Sequence, residues 1–144
     1  MTFIESETVE LKSTVVADIC KEVIAFANTK GGTLYIGVED DGTVVGVDSA
    51  DRVILQINNM VRDSIKPDVT MFVRYETQTV DSKQIIAMTV QKGTDRPYYL
   101  GSKGLKPSGV YVRNGTSADP ATDTAIRKMI KETDGDSFEA MRSL

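Results

Sequence analysis

A chain of 144 residues with 40% apolar and 26% charged side chains is long enough for one domain with a real core, and too apolar to remain a disordered polymer. One cysteine and no histidine exclude an internal disulfide, the usual zinc-ligand sets and every histidine-dependent nucleophile arrangement. The net charge of -4 is unevenly spread: residues 1–50 hold nine acids and three bases, residues 51–114 six acids and ten bases.

In chain order, Val9 and Leu11 alternate with Glu10 and Lys12, the pattern of a short strand that places the two charged side chains together on one face. Val15, Val16, Ile19, Cys20, Val23, Ile24 and Ala27 follow a helical stripe, with Ser13 or Thr14 as N-cap and Gly31-Gly32 as the stop. Thr33 to Val38 reads as a strand, and Asp41-Gly42 as a tight turn that returns Thr43 to Val47 as a hairpin partner. Val53, Ile54, Ile57, Met60 and Val61 predict a second helix ending before Pro67.

Further along, Val69, Met71, Val73 and Tyr75 alternate, as do Ile86, Met88 and Val90, so a second hairpin is expected around Asp81-Ser82-Lys83. Residues 93–108, with three glycines and two prolines, form the longest candidate functional loop. Val110 and Val112 predict a strand, and Asp119-Pro120 the opening of a last helix through Lys131. Hairpins mixed with helical crossovers give an α+β class, a mixed and largely antiparallel sheet packed with about three helices.

Two constellations carry chemistry. The first joins Glu5, Glu10 and Glu39, with Asp40 as the alternative third acid. If the strands at 9–12 and 33–38 lie side by side, these carboxylates meet at one sheet end, where they suit Mg²⁺ or Mn²⁺, and Lys12 suits developing phosphate charge. The same residues also fit a plain turn, Asp40-Asp41-Gly42, and a solvated strand face.

The second constellation is basic. From Lys83 to Arg113 the chain holds Lys83, Lys92, Arg96, Lys103, Lys106 and Arg113 against Asp95 alone, with Tyr98, Tyr99 and Tyr111 interleaved. Cations neutralise phosphates and aromatic rings stack on exposed bases, so this composition fits a nucleic-acid surface. It equally fits a solvated face with inward tyrosines. Arg113-Asn-Gly-Thr-Ser117 sets a guanidinium beside hydroxyls and free backbone N–H groups, an arrangement for phosphate or simply for a strand end. Gly31-Gly32 follows a helix rather than a strand and there is no phosphate-loop run, which excludes an ATP site of that kind.

Three blocks, Glu5 to Lys12, Ala25 to Gly42 and Gly109 to Pro120, together resemble the Schlafen/AlbA-like domain, and the likeness runs from Glu5 to Leu144. Such domains stand at the N-terminus of many bacterial transcriptional regulators and in the nucleic-acid-processing core of animal Schlafen proteins. The resemblance implies a nucleic-acid-binding module, with DNA favoured over RNA, contacting its partner through Lys92, Arg96, Lys103, Lys106, Arg113 and Ser117. In the RNA-cleaving members three acids form the catalytic site, and Glu5, Glu10 and Glu39 stand at the matching positions, with Lys12 beside them. That is the alternative reading, a nuclease dependent on Mg²⁺ or Mn²⁺, whereas the binding module needs no cofactor. This chain lacks the cysteines and histidines of the animal zinc site.

An oligomerisation module is a third possibility, and a homo-oligomer is compatible with either of the others. Residues 1–134 are expected to form the domain. Residues 135–144 resemble the start of a connection to a further region, in relatives an ATPase-like module of the GHKL type with a winged helix. Helicase-like labels belong to such parts. No apolar run long enough for a bilayer is present, nor a basic-flanked apolar leader, so a cytoplasmic protein without a membrane partner is expected.

Overall fold

The computed structural model describes residues 2–142, with side chains described for residues 2–135. In chain order the elements are β1 (Val9–Lys12), α1 (Ile19–Asn28), β2 (Gly32–Ile36), α2 (Ala50–Ser64), β3 (Ile65–Lys66), a 3₁₀ turn (Thr70–Phe72), β4 (Val73–Val80), β5 (Lys83–Val90), β6 (Tyr99–Leu100), β7 (Tyr111–Asn114), β8 (Ser117–Pro120) and α3 (Asp123–Arg142). A four-stranded sheet has the order β1-β2-β5-β4, and two short ribbons pair β3 with β6 and β7 with β8. The β1–β2 pair is parallel and the others antiparallel, so the fold is the mixed, largely antiparallel α+β arrangement that the sequence predicts.

Parallel β1 and β2 are joined by α1, because two parallel neighbours need a crossover rather than a tight turn. The crossover helix covers the sheet face that carries Leu34, Ile36, Ile86, Met88 and Val90, packing Ile19, Val23, Ile24 and Phe26 onto it, and α2 adds Ile57 and Val61. Phe26 is fully buried, and a cavity there after truncation to alanine costs about 3–5 kcal/mol. Behind the sheet, Phe3, Leu11, Val38 and Ile85 form a second cluster. A third, made of Val110, Ala121, Ile126 and Met129, seats α3.

Turn chemistry fixes the register. Asp81 and Ser82 both have positive φ, which makes a two-residue hairpin loop closing the Val80–Lys83 pair of β4 and β5. Gly31 has φ of 76°, and a Cβ there would lie 2.7 Å from the Val90 carbonyl oxygen, so only glycine lets α1 turn directly into β2.

Several boundaries differ from the sequence expectation. Helix α1 begins at Ile19 without a side-chain cap, not at Ser13 or Thr14. The β-branched pair Val15-Val16 is a poor helix start, and Val16 is exposed rather than part of the apolar face. The expected hairpin at 43–47 shrinks to one bridge between Val38 and Val44, since Val45 and Gly46 both donate to the Gly37 carbonyl and the chain then crosses to Gln84 of β5. Val69 and Met71 do not extend β4, because Asp68 accepts from the Thr70 N–H at 2.9 Å and nucleates the 3₁₀ turn. Pro120 ends strand β8 opposite Tyr111, and α3 starts only after Thr122, whose hydroxyl oxygen accepts from the Ala125 N–H at 3.0 Å. Within the 93–108 loop lies β6, a strand too short to show alternation. Helix α3 runs past Lys131 to Arg142, through most of the segment expected to begin the connection. The side chains of 136–144 and the structure of residues 143–144 lie outside the described residues.

Candidate functional site

At the β1 edge of the sheet, Glu10 and Lys12 of β1, Glu22 of α1 and Arg113 of β7 meet in a largely buried cluster. The alternation of β1 turns Glu10 and Lys12 toward α1, with Lys12 Nζ 3.7 Å from Glu10 Oε2. From β7, Arg113 Nη1 donates to Glu10 Oε1 at 2.8 Å and to Glu22 Oε2 of α1 at 2.7 Å. Its Nη2 donates to the carbonyls of Ser6 at 2.7 Å and Val9 at 2.9 Å. The guanidinium carbon lies 4.9 Å from the centre of the Phe26 ring, and its side chain is 1% exposed. The planar fork of arginine suits four acceptors in fixed places, which an ammonium on a flexible stem does not.

Glu5 completes the cluster from the N-terminal segment. Burial pushes its carboxyl up to about 7, helped by a hydrogen bond and charge repulsion from Glu10 and by the nearby charge of Asp40, against a lowering contact with the Leu11 N–H. Burial also raises Glu22, with Lys12 and Arg113 pulling the other way. Two cations thus face three carboxyls, and that of Glu5 titrates near 7.

Glu39 does not join them. It is exposed and borders an open depression with Ser13, Asp40 and Asp41. Among the described residues no three cysteine or acidic side chains are grouped so as to hold a metal ion. The expected convergence of Glu5, Glu10 and Glu39 is therefore corrected: Glu10 Oε1 is already taken by Arg113, and the third acid beside it is Glu22. With Glu10 and Glu22 both bound to the Arg113 guanidinium, the donor set does not fit Mg²⁺ or Mn²⁺. Glu22 interrupts the apolar run of α1 between Cys20 and Val23, and that interruption was its sequence signal.

Of the six expected nucleic-acid contacts, Lys92, Lys103, Lys106 and Ser117 are exposed. Ser117 Oγ turns back to the Asn114 carbonyl and Asp119 Oδ1, closing the β7–β8 turn. Arg113 points inward, which corrects the phosphate role read from its turn. Arg96 is also corrected, since its side chain is 11% exposed and lies 3.4 Å from Glu132 on α3. Tyr98 and Tyr111 are buried and unavailable for stacking on bases.

The exposed lysines sit on an ordered frame. Buried Asn28 donates to the carbonyls of Tyr98 at 3.0 Å and Tyr111 at 2.9 Å, and accepts from the Tyr98 N–H at 2.7 Å, pinning both ends of the 99–110 excursion to α1. The loop then closes on itself: Lys103 and Gly104 N–H groups donate to the Leu100 carbonyl, and Gly109 and Val110 N–H groups donate to the Lys106 carbonyl. Lys103 and Lys106 project from it, and Lys66 of β3 runs alongside, its chain 3.2 Å from the point where a Cβ on Gly101 would stand.

A small mixed sheet with helices on one face, edged by an arginine-clamped acid cluster, makes this an α+β domain. The family model described as "Schlafen, AlbA_2" matches residues 5–122, and the chain belongs to that family. No curated protein matches. Among solved structures, the DIP2311 protein of Corynebacterium diphtheriae is similar with a TM-score of 0.60 and 21% identity, over 80% of this chain and 25% of that one. The N-terminal domain of a protein described as an ATP-dependent DNA helicase RecG-related protein, from Nitrosomonas europaea, is similar with a TM-score of 0.56 and 24% identity, over 80% of this chain and 82% of that one. This chain thus spans about a quarter of the length of the Corynebacterium protein. Among the described residues, no helix is long and apolar enough to cross a membrane.

Proposed function

We propose that the domain binds nucleic acid, with DNA favoured over RNA, through phosphate contacts from Lys103 and Lys106 on the closed loop, Lys66 beside them and Lys92 at the end of β5, and that it serves a larger regulatory protein, a transcriptional regulator. The observation that carries this reading is the loop itself. Its backbone is hydrogen-bonded into one shape, and its lysines are exposed with no acid between Arg96 and Arg113 to neutralise them. Preset cations on an ordered scaffold neutralise phosphate without ordering a flexible segment first. Family membership supports the same reading, and the DNA-helicase description of the Nitrosomonas neighbour supports the choice of DNA. Inward Tyr98 and Tyr111 leave phosphate contact as the main mode.

A nuclease built on Glu5, Glu10, Glu39 and Lys12 has less support, because Glu39 stands apart and Glu10 is engaged by Arg113. Fluorescence anisotropy with single- and double-stranded DNA and RNA, each with and without Mn²⁺, tests both readings. Binding that weakens steeply with salt, tighter for DNA and unaccompanied by cleavage, is the expected result. Cleavage lost in Glu10→Gln would put the nuclease first.

A further inference from the structure

The two edges of the four-stranded sheet differ. At the β1 edge, Arg113 takes up the carbonyls of Ser6 and Val9. At the other, β4 has no second partner strand among the described residues, and along Val73–Val80 the alternate backbone groups not bonded to β5 face outward. Exposed edges are ordinarily blunted by proline, a bulge, a short strand or charges that repel a like strand. Here the sequence VRYETQTV contains no proline or glycine, and β4 pairs with β5 in unbroken register from Val73–Val90 to Val80–Lys83.

Arg74 and Glu76 are both exposed and, two residues apart, share the face away from the helices. A strand carrying opposite charges at that spacing is complementary to itself. In an antiparallel pair of two β4 strands centred on Tyr75, Arg74 stands opposite Glu76 of the partner subunit, and the symmetry axis repeats the contact. Centring on Arg74 or Glu76 instead sets like charges across the axis, and of the registers near these charges only the one about Tyr75 sets Arg74 directly opposite Glu76. Apolar side chains border the same edge. Met71, just before β4, is 81% exposed. Leu55 is 62% exposed and sits one helical turn from Asn58, whose side chain accepts a hydrogen bond from Tyr75 of β4 at 3.2 Å.

We infer that this chain forms a twofold dimer by antiparallel pairing of β4 with β4 of a second copy about Tyr75, joining two four-stranded sheets into one. The interface is isologous and closes on itself, so it ends at two copies. It leaves the Arg113 cluster at the outer ends of the joined sheet.

Light scattering after size exclusion and sedimentation over micromolar to millimolar concentrations test the inference. Wild type is expected to approach twice the 15.7 kDa chain mass at the upper end. Arg74→Glu and Glu76→Arg each turn both symmetry-related pairs repulsive and should weaken the dimer by roughly tenfold or more. The combined exchange, R74E with E76R, should restore it. A monomer at all concentrations overturns the inference, as does a dimer indifferent to either reversal or a double exchange as weak as the singles. Hydrogen exchange on the unmodified protein gives a check independent of substitution. Outward amides of β4 should gain protection with concentration, and exchange that does not change with concentration counts against the dimer.

Discussion

Arg113 Nη1 lies 2.7 Å from Glu22 Oε2, joining β7 to α1 through a contact between residues 91 positions apart. The same guanidinium holds Glu10 and two carbonyls of the N-terminal segment, so one side chain ties three parts of the chain together. Removing it leaves buried carboxylates without their counter-charge. Arg113→Met is expected to destabilise the fold by about 3–5 kcal/mol in urea unfolding, the range for a buried pair that loses one partner. A loss under about 1 kcal/mol would show that water replaces the guanidinium and that the cluster is not structural.

Glu5 makes stability depend on pH. Its folded carboxyl titrates near 7 against an ordinary value of 4.5, so the folded state holds a proton that the unfolded state releases between those values. Its contribution to stability is greatest below the unfolded value and is lost as pH rises through about 7. Glu5→Gln keeps the shape without the charge and should raise the melting temperature more at pH 8 than at pH 5. The opposite ordering would mean that Glu10, Asp40 and Lys12 set the local field differently.

Divalent cations are expected to leave the melting temperature unchanged, because the acids that would chelate them are separated or paired with cations. Thermal unfolding with Mg²⁺ or Mn²⁺ checks this. A rise that disappears in Glu39→Gln would restore the three-acid site.

Asn28 offers a different kind of test, since its amide serves three buried backbone groups at once. Asn28→Ala should cost about 2–4 kcal/mol by leaving them unsatisfied. It should also speed hydrogen exchange in the 99–110 loop and weaken nucleic-acid binding, although Asn28 is buried away from any ligand.

Much of this fold was legible because periodicity reports burial. The alternation of β1 placed Glu10 beside Lys12, the stripe of α1 predicted its buried face, and Asp81-Ser82 marked the hairpin that forms. What stayed hidden depends on contacts distant in sequence. The turn at 113–117 contains the residue types of a phosphate loop, and only the packing of β7 against α1 shows that Arg113 faces Glu22 rather than solvent. Likewise Arg96 counts as one more cation until α3 brings Glu132 to it. Two-residue strands such as β3 and β6 are too short for any periodic signal and form because Asn28 and β7 hold the intervening loop in place.

The most direct test of the nucleic-acid reading is the salt dependence of DNA binding by the unmodified domain and by a variant carrying Lys103→Glu and Lys106→Glu together. Both lysines are exposed, so the variant should melt at the same temperature as the parent. Its binding is expected to be weaker at every salt concentration, with a slope of log affinity against log salt shallower by about two, one counterion for each lost phosphate contact. Equal affinity and an unchanged slope in a folded variant would contradict the nucleic-acid reading.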